Sequence, residues 1–264
     1  MTVRAVIHRH LPKKMRIRRW IASERRTGEP ELRLVQALLG ESGRLVDVGA
    51  NRGIYSALGL SYGRDVIAFE PVPVEAKALR ALIGTRGRVH EVALSDSAGT
   101  ADFFVPFRGS ADVTTRATLE KGLDNELEHR RIDVERATLD SFDLEHIALL
   151  KIDVEGHEGA VLRGALATIR RCQPAILIEV EEARVPGSFQ LVAELLSGLG
   201  YAGFWLDGQA TLRPMDMFDI GRHQDPSLRP RWGDGRSKSY VNNFVWLPRG
   251  RDLPLHAFPS SDLR

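Results

Sequence analysis

The run Leu45-Val46-Asp47-Val48 reads as a buried strand carrying an acid, and Gly49 and Gly53 then turn the chain into a helix that starts near Ile54. A strand, a glycine turn and a helix in that order open a βα unit of a parallel sheet. The glycines let the backbone turn sharply and approach a ligand closely, while the helix aims its free N–H groups and positive dipole end at that ligand. Asp47 restricts the ligand: a carboxylate beside the turn repels a pyrophosphate, and the G-x-G-x-x-G spacing of dinucleotide sites is absent. S-adenosylmethionine fits better, because it has no phosphate, offers a carboxylate to the helix end and brings cationic groups that favour nearby acids. The candidate cofactor loop is therefore Asp47, Gly49, Asn51, Gly53, Tyr55 and Ser56.

Beyond this loop, strand-like and helical runs alternate. Core strands are expected at 44–48, 66–70, 89–94, 149–154 and 175–180, with helices at 30–39, 75–83, 160–171 and 189–199. Runs at 201–206 and 241–247 can close the sheet as a hairpin, which makes the last strand antiparallel. Residues 100–105 and 132–136 look like partners in an excursion that flanks the polar segment 106–131. The expected fold is α/β: a doubly wound sheet of about seven strands with helices on both faces. At 264 residues and 43% hydrophobic, the chain suits one large domain. We expect that domain at 30–264, with inserted segments near 106–131 and 207–240.

Net charge is +2, yet residues 1–26 hold nine Lys and Arg against one acid, leaving 28 basic and 34 acidic residues in the remainder. Residues 1–29 are thus expected to form a basic arm. It can touch an anionic membrane surface peripherally, or pack on its own domain through Ile7/Leu11 and Ile17/Trp20/Ile21. The acidic body carries no basic stripe interleaved with aromatics, so no nucleic-acid partner is expected. A lone cysteine, Cys172, cannot form an intramolecular disulfide, and no C-x-x-C pair is present. No apolar run suits a transmembrane segment or a secretory signal, and the expected location is cytoplasmic.

Ligands of parallel sheets bind outside the carboxyl ends of the strands, and here those ends are acidic. They deliver Asp47, then Glu70-Pro71, Ser95-Asp96, Asp153 with Glu155, His157 and Glu158, and Glu179 with Glu181 and Glu182. Five acidic ends on one rim repel one another unless a cation, a hydrogen-bonding ligand or a metal sits among them. Glu70 and Pro71 follow an apolar run, where the carboxylate can accept two hydrogen bonds from a ribose diol or cap the next helix. Ser95 and Asp96 either face an adenine ring or form an ordinary turn.

In this order the segments LVDVGANRGIYS, VIAFEPVP, VHEVALSD, TLDSF, ALLKIDVEGHEGAVLRGA and PAILIEVEE resemble the FkbM family of S-adenosylmethionine-dependent methyltransferases over residues 40–182. The resemblance implies the Rossmann-like methyltransferase sheet and O-methylation of hydroxyls on polyketides, sugars or glycans. Family members often carry an asparagine near the end of the helix after FEPxP, where this chain has Ala81-Leu82-Ile83.

Methyl transfer to a hydroxyl needs alignment of the reacting atoms and a base at the methyl end of the pocket. His157 is the candidate base, oriented by Glu155, Glu158 or Glu179; otherwise it is a capping or hydrogen-bonding residue. Asp153, Glu155 and Glu179 complete the catalytic candidates, and with His157 they can alternatively hold a divalent cation such as magnesium. Asp153 is also a cofactor-binding candidate. Acceptor recognition is assigned to 106–131 and 207–240, the latter with Arg222, His223, Arg229, Arg231, Trp232 and Arg236. The acceptor is then a hydroxylated small molecule or glycan.

Overall fold

The computed structural model describes residues 12–108, 111–123, 127–228, 240–251 and 253. The apolar runs become eight strands of one sheet. Their spatial order is β3 (Gly87–His90), β2 (Val66–Phe69), β1 (Arg44–Val48), β8 (Ile147–Ile152), β9 (Ala175–Glu179), β12 (Asn243–Pro248), β10 (Tyr201–Leu206) and β11 (Leu212–Pro214). The first five are mutually parallel, whereas β12 runs antiparallel to both β9 and β10. The expected 201–206 and 241–247 pairing is therefore present, but β12 lies inside the sheet, and β11 adds an edge strand that the sequence pattern had not suggested.

Strands covered on both faces need an unbroken apolar sequence, and β2 and β8 are buried along their whole lengths. Alternate residues feed two cores. Val46, Ile67, Leu150 and Ile176 pack with α5 (Glu158–Arg163), α6 (Leu166–Cys172) and α7 (Ser188–Gly198) on one face. Leu45, Val66, Leu149 and Leu177 pack on the other with α1 (Lys13–Thr27), α2 (Val35–Leu39), α3 (Ile54–Ser61) and α4 (Pro73–Ile83). Trp205 and Trp246 are buried. Among the described residues, no helix is long and apolar enough to cross a membrane.

Three elements differ from expectation. The run at 89–94 does not make one strand: β3 ends at His90, and Ala93–Leu94 (β4) pairs instead in a second sheet with β7 (Glu128–Ala137), which also pairs β5 (Gly99–Arg108). This small sheet, ordered β4-β7-β5-β6 with β6 at Ala111–Asp112, is the expected excursion, with Phe103 opposite Ile132. The helix at 160–171 is two, because Gly164 presses on the backbone of Ser95, where a Cβ would lie 2.0 Å from the carbonyl oxygen. Asp140 then caps the second piece from outside, accepting from the N–H groups of Ala167 and Thr168. The helix at 30–39 begins as a 3-10 turn, Pro30–Arg33, before α2.

Candidate active site

The turn between β1 and α3 is built around Gly49, whose φ is +72° and whose Cβ, if present, would sit 1.8 Å from the Asp153 carbonyl oxygen. Only glycine lets the ends of β1 and β8 meet this closely. Gly53 begins α3 at φ +80°, against the Leu79 and Leu82 side chains. A helix start leaves N–H groups without partners. Here Asp47 answers from the strand, accepting from Ser56 N at 3.0 Å and Ser56 Oγ at 2.6 Å. Burial pushes the Asp47 carboxyl up to about 6, against the pull of those bonds.

Glu70 directly follows β2 and accepts from Asn51 N at 2.8 Å and from Val72 N at 2.9 Å. It thus ties the glycine turn to the start of α4. Burial pushes it up to about 7. Tyr55 donates its hydroxyl to Glu29, which lies just beyond α1.

A cavity of about 1210 Å³ opens over these strand ends. Of the candidate cofactor residues, Gly49, Asn51, Glu70, Pro71 and Asp153 line it; Asp47, Gly53, Tyr55, Ser56, Ser95 and Asp96 do not. The catalytic candidates Asp153, Glu155, His157 and Glu179 all line it. The structure therefore gathers the first, second, fourth and fifth strand ends around one space. The third end also lines it, through Val92, Ala93 and Leu94, but its polar residues stand behind that lining: Ser95 is held by His157 at 2.9 Å, and Asp96 turns outward to Arg163 at 3.2 Å.

The chain supplies its own cations to the acidic rim. Lys151, 1% exposed within β8, places Nζ 3.8 Å from Asp153 and 5.1 Å from the centre of the Tyr55 ring. Burial alone would lower its pKa, but Asp153, Glu29, Glu179 and Asp47 raise it. Arg184 pairs with Glu155 at 2.7 Å and Glu181 at 3.2 Å, and Asn242 donates to Glu179 at 2.7 Å. Burial, then Asp153, Glu155 and Glu29, pushes Glu179 up. The expected metal set does not converge: among the described residues no three or more His, Cys, Asp or Glu side chains form a metal-holding group. Asp153, Glu155 and Glu179 each turn to the separate partner just named.

His157 sits at the start of α5 with both ring nitrogens engaged. Nε2 is 2.9 Å from Ser95 Oγ and Nδ1 is 2.6 Å from Glu120 Oε1. The orienting acid is thus Glu120, not the expected Glu155, Glu158 or Glu179. Glu158 instead accepts from Gly156 N at 2.9 Å. The hydrogen bond from His157 holds the Glu120 carboxyl below its usual range, against burial. Lys151, Arg184, Asn242 and Glu120 were all missed from the sequence; only Lys151, a lone cation in an apolar run, left a visible signal. Arg222 and His223 line a smaller recess of about 360 Å³ with Trp205. Arg229, Arg231, Trp232 and Arg236 lie outside the described residues, as do Ile7 and Leu11.

A model of the methyltransferase FkbM domain family matches residues 47–203, more than half of the chain. The chain belongs to the FkbM methyltransferase family. The matched span of this FkbM domain runs from Asp47 through both sheets to β10. Among solved structures, methyltransferase FkbM from Methylobacillus flagellatus KT is similar at 14% identity and TM-score 0.48, over 92% of this chain and 57% of that one. The FkbM chain described here thus spans little more than half the length of that relative. The 1,6-didemethyltoxoflavin-N1-methyltransferase of Burkholderia thailandensis, solved with 1,6-didemethyltoxoflavin and S-adenosylhomocysteine, is similar at 19% identity and TM-score 0.42, over 85% of this chain and 78% of that one. A comparison with curated proteins found no match.

Proposed function

We propose that this FkbM-family protein is an S-adenosylmethionine-dependent O-methyltransferase that methylates a hydroxyl of a sugar or glycan in the cytoplasm. The observation that carries the reading is one continuous cavity lined both by the glycine turn with Glu70 and by His157, Asp153 and Glu179. The first group fits the cofactor. Gly49 permits close backbone approach, and Glu70, fixed by two backbone N–H groups, keeps lone pairs for a diol. Gly49, Asn51, Glu70 and Pro71 would hold it, and when bound it supplies a methyl group already activated on a sulfonium.

The second group serves the acceptor. With the Nδ1–H of His157 given to Glu120, Nε2 is the nitrogen that faces Ser95 as an acceptor. An acceptor hydroxyl that takes the place of Ser95 at Nε2 gives up its proton there, and Glu120 stabilises the resulting imidazolium. Ser95 keeps a second partner, Asp96 Oδ1, at 3.4 Å. Asp153 and Glu179 accept hydrogen bonds from other hydroxyls of the acceptor and so orient it.

The test is transfer of labelled methyl from S-adenosylmethionine into polysaccharide, lipid and small-molecule pools of source-cell extract, with and without a chelator. Chelator-resistant label in polysaccharide or free sugars is expected. Label confined to an organic-soluble metabolite overturns the sugar assignment in favour of a polyketide-like acceptor. No label despite cofactor binding overturns the enzyme reading in favour of a scaffold.

A further inference from the structure

The basic N-terminal segment has a place at the cavity. In α1, Ile21 is buried, and Ile17 and Trp20 pack against the same core that α2 and α3 share. That packing fixes the last turn of the helix, so Arg25 and Arg26 line the cavity, joined by Arg33 from the 3-10 turn and Arg116 from the small-sheet side. Arg33 Nε donates to the Arg25 carbonyl at 3.3 Å, which holds the turn against the helix end. The acids and cations of the lining are not equivalent. Arg184 is committed to Glu155 and Glu181, and Glu29 to Tyr55. Arg25 and Arg26 make no ion pair with any described residue.

We infer that these arginines form an oxyanion-binding rim, and that the acceptor carries a phosphate or carboxylate beside the hydroxyl that is methylated. The inference rests on the methyl-transfer reading above. Its physical basis is an uneven distribution of charge in one cavity: Arg25, Arg26 and Arg33 outnumber Glu29 and Glu31 on the wall from the N-terminal segment, whereas the strand ends bring Asp153, Glu155 and Glu179. Asp153 at the strand ends disfavours an anion beside it, whereas guanidinium groups on the wall bind one through charge-assisted, paired hydrogen bonds. An acidic sugar has one favourable orientation in such a field, anion to the rim and neutral hydroxyls to the strand ends, where His157 lies. A neutral sugar gains nothing from the rim.

The experiment is calorimetric titration of the full chain, first with S-adenosylhomocysteine and then, once saturated, with glucose 1-phosphate, glucuronate and glucose. It is repeated at higher salt and with the Arg25→Gln/Arg26→Gln double variant. Both anionic sugars should bind at least ~10-fold more tightly than glucose, with the gap narrowing as salt screens it. In the double variant the gap should close while S-adenosylhomocysteine affinity stays within about 2-fold, the range expected for a surface charge change. Equal binding of the three sugars, or failure of both anionic ones to bind at millimolar concentration, overturns the inference. So does a gap that persists in the variant. Loss of S-adenosylhomocysteine affinity with the gap intact assigns the arginines to the cofactor carboxylate and also overturns it. Failure of the wild type to bind S-adenosylhomocysteine, by contrast, sinks the methyl-transfer reading at the first step.

Discussion

The two ends of the cavity hold their carboxylates by different means. At the glycine-turn end, Glu70 is fixed by the backbone N–H groups of Asn51 and Val72, and Asp47, behind the lining, by the backbone N–H and the hydroxyl of Ser56. At the His157 end, Glu120, Glu155 and Glu179 are fixed by side chains, those of His157, Arg184 and Asn242. Backbone donors come with the turn itself and survive most side-chain changes. Side-chain donors reach in from the start of α5, from the segment after β9 and from the approach to β12, so the His157 end depends on distant packing. On the function proposed above, the glycine-turn end is built to be constant for the cofactor, and the His157 end can be varied for the acceptor without disturbing it.

The largest effect should come from breaking the backbone end. Gly49→Ala puts a methyl where the Asp153 carbonyl stands, at a φ that disfavours any side chain. Calorimetry should show at least ~100-fold weaker S-adenosylhomocysteine binding, together with a lower melting temperature. Wild-type affinity in this variant would refute the close-approach argument. His157→Ala attacks the other end. Turnover should fall on the order of 100-fold while cofactor affinity stays nearly constant. Equal losses in both would mean that the two ends are not separable.

Next in size is a titration. Burial raises Asp47 from 3.8 to about 6, so between those values the folded chain keeps a proton that the unfolded chain has released. Stability from this group is thus full at low pH and declines as pH rises through that window. Asp47→Asn cannot ionise, and its stability relative to wild type should improve by roughly 2 kcal/mol from pH 4 to pH 7 in denaturant melts. A pH-independent difference would show that the Ser56 bonds, not burial, set the charge state. A smaller change is expected of Glu120→Gln, which keeps a hydrogen bond to Nδ1 but loses the charge opposite the imidazolium. Turnover should drop roughly 10-fold in steady-state assays, because the amide offers no charge to the ring once it has taken the proton.

How far the sequence could be read follows from the same contrast. The span 44–48 and the helix start at Ile54 were legible to the residue, since an apolar run, two glycines and an acid act locally. The pairing of 100–105 with 132–136 was legible too, where two strand-like runs flank a polar stretch, although the strands extend to Gly99–Arg108 and Glu128–Ala137. The break after His90 was not, because Val89, Val92 and Leu94 look alike as apolar residues although only the first belongs to the main sheet. Glu120 was invisible for a related reason: it lies in a polar segment with no periodicity, and only the folding of the small sheet brings it to His157. Asp153, Glu155 and Glu179 were legible as strand-end acids; their partners were not, because nothing local links Glu155 to Arg184 or Glu179 to Asn242.

The smallest predicted effect is the sharpest check on that account. Ser95-Asp96 follows an apolar run just as Glu70-Pro71 does, so a rule that every strand-end acid binds the ligand treats Asp96 and Glu70 alike. The structure separates them. Glu70 is buried beside the cavity, whereas Asp96 is 41% exposed and pairs with an equally exposed Arg163. A solvated pair of this kind contributes at most about 1 kcal/mol. Asp96→Asn should therefore change S-adenosylhomocysteine affinity by less than about 2-fold, while Glu70→Gln, which exchanges a buried acceptor for an amide beside the Asn51 and Val72 N–H groups, should weaken it by at least ~10-fold. Equal losses in the two variants would restore Asp96 to the cofactor wall and refute the distinction drawn from burial.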